Sequence, residues 1–273
     1  MMRWLNSPAS ETQITHKRRL WLYVLSGLVM AFLVIPTLIV IPMSFSDSQY
    51  LQFPPSHWSL RWYRHYFESA EWLQATATSL EAAFFTALIA TPIGVMAAYG
   101  LFVSGMRLAK LIYLALITPI IVPVILIAIG AFYVYVKLHL LNTILGLVLA
   151  DTVLAIPLVL IVVSSGLKSY DMSQEMAARS LGASRLKAFM LVTLPQIRFS
   201  VITGALLAFL TSFDEVVIAL FISGGDHTTI TKKMFISLRD QIDPTITSIS
   251  TLMILVSTGL LIAAQLYGKP RNT

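Results

Sequence analysis

The chain has 273 residues, 57% of them hydrophobic and only 12% charged, and it contains no cysteine. Soluble domains carry about 25% charged residues, so this composition excludes a water-soluble globular protein and indicates an integral membrane protein. It also excludes disulfide, iron–sulfur and thiol chemistry, and in a membrane protein the net charge of +6 informs loop topology rather than nucleic-acid binding.

Residues 1–19 form a polar tail ending in His16-Lys17-Arg18-Arg19. The apolar run 20–43 meets the roughly 20 residues that a bilayer requires. No small-residue cleavage site follows it promptly, so it reads as a retained membrane helix, with a cleaved signal peptide as the alternative. The segment 44–77 is rich in Trp and Tyr, and Trp58, Trp62 and Tyr66 stand at i, i+4 and i+8. That spacing suits one face of an interfacial helix, serving as a headgroup anchor or as a docking surface.

Five further apolar spans are expected at 78–102, 111–136, 143–167, 199–222 and 246–267, which makes six with the first. Prolines inside them (Pro36, Pro92, Pro119, Pro123, Pro157) predict kinks of the kind membrane helices tolerate. The Ser- and Thr-rich last span predicts one face turned to protein or water. The fold class is therefore all-α: one six-helix membrane domain over 20–267, with a loop at 168–198 and a tail at 268–273. No internal repeat is visible.

Of the 19 Lys and Arg residues, Arg61, Arg64, Lys137, Lys232, Lys233 and Arg239 fall in one set of loops and the other thirteen in the opposite set. The positive-inside rule then puts both termini and the 168–198 loop in the cytoplasm. In the loop after residue 223, Met234, Phe235, Leu238 and Ile242 follow helical spacing beside Lys232, Lys233 and Arg239. This segment reads as an interfacial helix, a contact surface for an outer partner, or both.

Asp151, Asp214 and Glu215 lie within expected spans. A carboxylate at mid-membrane costs about 2.5–3.5 kcal/mol on insertion scales, so such groups face a cavity or a partner. The alternative is bonding to neighbouring hydroxyls that only fixes packing. At 1.5 Å per residue, Asp151 and Asp214 would each sit about 12 Å below the outer face, and on one helix Asp214 and Glu215 would point about 100° apart. No Gly-x-x-x-x-Gly-Lys phosphate loop, Gly-x-Ser-x-Gly elbow or His-Glu-x-x-His pair occurs, and the five histidines are scattered. No catalytic constellation and no metal site are expected.

The most informative stretch runs from Asp171 to Ser184 and on to Val192-Thr193-Leu194-Pro195. Asp171 can cap a short helix, and Gly182 stands where that helix would end. At about ten residues it is too short to be stable alone, so it has to dock on something. This stretch resembles the "EAA" loop in permease subunits of binding-protein-dependent ABC importers of type I. Ala177, Ala178, Gly182, Leu194 and Pro195 match, and Val192 stands for Ile. Met176 occupies the Glu slot, with Glu175 one residue earlier; whether Glu175 takes over that carboxylate's role stays open.

The resemblance extends to the six spans and the long first outer segment. It implies the permease fold with a cytoplasmic coupling helix between the fourth and fifth spans. It also implies a bacterial inner-membrane complex of this chain with a cytoplasmic ATPase dimer, a second permease expected to be a different chain, and an extracytoplasmic substrate-binding protein. ATP and Mg would be bound by the ATPase, so the chain itself would be no enzyme. Ser212-Phe213-Asp214-Glu215-Val216-Val217-Ile218, Ser223-Gly224-Gly225 and Met234-Phe235 up to Ile242-Asp243-Pro244 are similar to the spermidine/putrescine subgroup. Importers of opines or amino-acid derivatives carry similar sequences. A self-contained secondary transporter or channel is the other class; such carriers commonly show internal repeats.

Overall fold

The computed structural model describes residues 15–240 and 242–267, so most of the tail 1–19 and all of 268–273 lie outside the described residues. The described residues form α1 (Leu20–Met43), α2 (Arg61–Glu68), α3 (Ala70–Ser104), α4 (Ala109–Ile121), α5 (Val124–Leu138), α6 (Ile144–Lys168) and α7 (Ser173–Ser180). They continue with α8 (Arg185–Gln196) and α9 (Arg198–Phe213), then α10 (Val217–Ile222), α11 (Ile230–Asp240) and α12 (Thr245–Tyr267). Among these residues the only extended pairing is an isolated bridge between Ser46 and Trp58. Four helices are long and apolar enough to cross a membrane, and there are six candidate spans if each of two bent pairs counts as one.

Both bends have local causes. The expected third span, 111–136, is instead α4 and α5 meeting at 95°. Pro123 pushes the residue before it out of the helical region, and Val122 accordingly sits at φ −75°, ψ 131°. The expected fifth span, 199–222, is not continuous either. It enters from α8 through an 80° bend, stops at Phe213, and resumes as α10 at Val217. Asp214 and Glu215 therefore do not share one helix, and the 100° relation expected of them does not apply.

The aromatic segment also departs from expectation. Trp62 lies in α2 and is buried, with its indole N–H donating to Ser48 O at 3.1 Å. Tyr66 is buried and its hydroxyl bonds Thr76 Oγ1 at 2.8 Å. Trp58 precedes α2 and stays exposed. No single anchoring face unites the three, because the polar handles of Trp62 and Tyr66 find partners inside the protein.

The chain divides into two compact units. The first holds α1, the following segment to His65, and Asp243–Leu252. Within it the Ser44 hydroxyl bonds the Tyr63 hydroxyl at 2.7 Å, Ser248 Oγ donates to Ser44 O at 3.3 Å, and His65 Nδ1 lies 3.1 Å from Thr245 Oγ1. Thr247, Ser248 and Thr251, on the polar face expected for the last span, are buried.

The second unit, Tyr66–Ile242 with the end of α12, carries the candidate sites. Its centre is the meeting of α3, α6 and α9 at fully buried Val159. Gly94 on α3 and Gly204 on α9 both abut this side chain. Small residues permit such close approach in membranes, where packing rather than water expulsion drives association. A Cβ on Gly94 would lie 2.6 Å from Val159 Cβ, whereas one on Gly100 would meet nothing within 4 Å. Gly94→Leu is therefore expected to cost roughly 1–3 kcal/mol by overpacking. The check is the thermal unfolding midpoint in detergent: Gly94→Leu should lower it by several degrees more than Gly100→Leu, and equal midpoints would contradict this packing.

Candidate coupling and pathway sites

Helix α7 is closed at both ends by local chemistry. Asp171 Oδ1 accepts the Ser173 N–H at 3.0 Å and Oδ2 accepts the Ser173 hydroxyl at 2.7 Å. These two bonds, the hydroxyl one foremost, hold the exposed Asp171 carboxyl below its ordinary pKa. At the other end the Gly182 N–H donates to Arg179 O at 3.0 Å and the Ala183 N–H to Ala178 O at 3.2 Å. Those are the two bonds of a Schellman ending, which needs a left-handed residue after the helix. Gly182 supplies it with φ +93°.

On both sides of this turn the segment presents an apolar surface: Met176, Leu181, Leu186, Met190 and Leu191 are exposed, Leu181 to 90%. Ala177 and Pro195 are exposed too, while Ala178 and Leu194 are half-buried. Glu175 points the other way and is 0% exposed. Its carboxylate accepts the Tyr99 hydroxyl at 2.6 Å on Oε1 and the Thr193 hydroxyl at 2.5 Å on Oε2. The outward face thus carries Met176, while the Glu175 carboxylate is turned inward to Tyr99 and Thr193. Sequence reasoning missed Tyr99, Thr193 and Tyr170, because nothing in their local pattern points to a partner on another helix.

The second candidate site is the break between α9 and α10. Glu215 Oε1 accepts the N–H groups of Val217 at 2.7 Å and Ile218 at 3.0 Å, so the side chain caps the new helix itself. Asp151 on α6 is 3% exposed. Its Oδ2 accepts the Ser212 hydroxyl at 2.6 Å, whereas its Oδ1 has no partner. Asp214 is exposed and Glu215 half-buried. Ser212, on the last turn of α9, thus brings Asp151 beside the break, and among the described residues none of the three acids forms an ion pair. The hydroxyl bond expected of a packing role is present at Asp151 and, among the described residues, absent from Asp214.

Helix α11 is fastened to α10. Thr231 Oγ1 donates to Glu215 O at 2.9 Å, and Lys232 Nζ donates to Leu220 O at 3.3 Å and to Ser223 O. The ammonium thereby satisfies carbonyls at the end of α10, and its burial pulls the Lys232 pKa down. Phe235, Leu238 and Ile242 stay exposed, but Ile242 lies beyond the helix at φ +50°. It therefore does not continue the helical face expected of it.

Residues 90–271, which contain the Gly182 loop, both bent pairs and the acid-bearing break, match the family described as "Binding-protein-dependent transport system inner membrane component". This chain belongs to that family. Within it, the chain is 33% identical over 241 residues to the putrescine transport system permease protein PotI of Escherichia coli (strain K12), covering 86% of this chain and 85% of the relative. It is 28% identical over 245 residues to the spermidine/putrescine transport system permease protein PotC of Haemophilus influenzae, covering 89% and 95%. Its fold matches a crystal structure of a bacterial ABC transporter involved in the import of the acidic polysaccharide alginate, with a TM-score of 0.70 at 16% identity over 96% of this chain and 99% of the other. The chain is thus an importer permease with the type I fold, and by sequence it sits with the polyamine subgroup.

Proposed function

We propose that this permease forms half of the transmembrane pathway of an ATP-driven importer for spermidine, putrescine or a closely related small organic cation. The observation that carries the substrate class is the gathering of Asp151, Asp214 and Glu215 at the α9–α10 break without a cationic partner among the described residues. A half-helix N-terminus inside a transporter attracts anionic substrate groups. Here that position is already occupied by the Glu215 carboxylate, so the break favours cations. The polyamine relatives agree with this reading.

In this reading α7 and the apolar surface beyond Gly182 seat in a groove of a cytoplasmic ATPase, which binds ATP and Mg. A second permease chain completes the pathway, and a soluble binding protein delivers substrate on the outer side near α11. The Lys and Arg bias supports a cytoplasmic position for the Gly182 loop and both termini. ATP-driven closure of the ATPase dimer moves α7 as a rigid body, and the pathway switches between inward- and outward-facing states.

The test is expression with the neighbouring transport genes of its source, followed by mild detergent extraction and reconstitution into vesicles. An ATPase subunit is expected to co-purify, and labelled putrescine or spermidine should enter only with ATP and the binding protein present. Uptake by the chain alone, driven by an ion gradient, would overturn the proposal.

A further inference from the structure

A docking role leaves the fully buried carboxylate of Glu175 unexplained. Glu175 is the only buried residue of α7. Its two oxygens are held by hydroxyls from two other helices, Tyr99 on α3 and Thr193 on α8. Thr193 Oγ1 also lies 3.1 Å from the Tyr170 hydroxyl. A hydroxyl has one proton to give, so with that of Thr193 on Glu175, the proton between Thr193 and Tyr170 comes from Tyr170. The Tyr99 ring is fixed in turn by Phe189, with ring centroids 4.4 Å apart. Phe189 and Thr193 are the two buried residues of a π-helical stretch in α8; its wide turn sets both on the side facing Tyr99 and Glu175.

We propose that Glu175 is the positioning residue through which the motion of α7 reaches the pathway helices, by way of this clasp of hydroxyls from Tyr99, Thr193 and Tyr170. The inference rests on the ATP-driven reading above. Apolar contacts are non-directional and let one surface slide over another. Hydrogen bonds fix distance and angle, and a buried carboxylate stripped of its donors is left with its full desolvation penalty. Separating α7 from α3 is therefore opposed more strongly at Glu175 than anywhere else on the short helix. From Tyr99 the path along α3 is short: Gly94 lies five residues away, about 7.5 Å at 1.5 Å per residue. There α3 bears directly on Val159 of α6, which also meets Gly204 of α9, and α9 ends at the acid-bearing break. One continuous set of contacts thus joins the ATPase-facing helix to the pathway.

The experiment uses the full complex in vesicles and reads substrate taken up per ATP hydrolysed. Tyr99→Phe and Thr193→Val each remove one donor while keeping shape. In the double variant, uptake per ATP should fall about tenfold, the ratio that 1.4 kcal/mol represents, while the complex stays assembled and hydrolyses ATP. Glu175→Leu should behave like the double variant. Glu175→Gln should keep most of the coupling, since its oxygen accepts from Tyr99 and its amide donates to Thr193, which passes its proton to Tyr170. Wild-type coupling in the double variant overturns the proposal, as does a Glu175→Gln complex as uncoupled as Glu175→Leu. If the double variant does not assemble, assembled Tyr99→Phe decides: partial uncoupling supports the clasp and unchanged coupling refutes it. Failure of the wild-type complex to couple uptake to ATP would instead refute the underlying reading.

Discussion

Gly182→Val is expected to abolish most ATP-driven uptake while leaving the protein in the membrane at near-normal level. The argument is one of backbone conformation. Gly182 sits at φ +93°, where a β-branched side chain is strained, and the left-handed region costs an ordinary L-residue about 1–2 kcal/mol. Collision plays no part, because a Cβ there would meet nothing within 4 Å. The strain falls on the two bonds to Arg179 O and Ala178 O that end α7, and relieving it turns the exposed Leu181 and the rest of the apolar face out of register. Gly182→Asn is the matched control, since Asn tolerates the left-handed region. Uptake and ATPase co-purification should drop about tenfold or more in the Val variant and stay within about threefold in the Asn variant, using 1.4 kcal/mol per factor of ten. Equal transport by the two would remove the turn at Gly182 from the coupling mechanism.

Neutralising the acids at the break should produce the other large effect. Asp214→Asn keeps size and removes charge from an exposed side chain that makes no side-chain hydrogen bond among the described residues. A fall in cation uptake in this variant therefore reports on the pathway. Asp151→Asn is more conservative than it looks, because the Asn oxygen can still accept the Ser212 hydroxyl that now donates to Asp151 at 2.6 Å. The double variant is expected to take up putrescine or spermidine at least tenfold more slowly, about 1.4 kcal/mol of lost charge pairing. ATPase activity without substrate should persist. Full uptake in both single variants and in the double variant would return Asp151 to a packing role and withdraw the structural support for a cationic substrate.

Several features of the chain were legible before any coordinates. The apolar runs behind α1, α3, α6 and α12 are long, and hydrophobic length is a local property that survives any tertiary arrangement. The turn at Gly182 was legible for the same reason, since helix endings are written in a few neighbouring residues. The bend at Val122 was within reach as well. Pro123 announces it, but a proline inside an apolar run reads as a tolerated kink until the geometry shows a 95° turn.

Composition and local pattern by themselves determined that this chain is helical, membrane-embedded and built around a short polar loop whose helix ends at Gly182. The tertiary structure alone decided which polar groups meet. Tyr99 and Glu175 are 76 positions apart, and Asp151 and Ser212 are 61 apart. Periodicity carries no information about such pairs, because it reports which face of a helix is apolar and not which helix lies opposite. Glu175 stood in the polar loop with its role open; the fold buries it where two hydroxyls on other helices, Tyr99 and Thr193, reach its oxygens. Glu215 read as one more residue of a continuous span; the fold ends that span at Phe213, and the carboxylate satisfies the N–H groups that the break exposes.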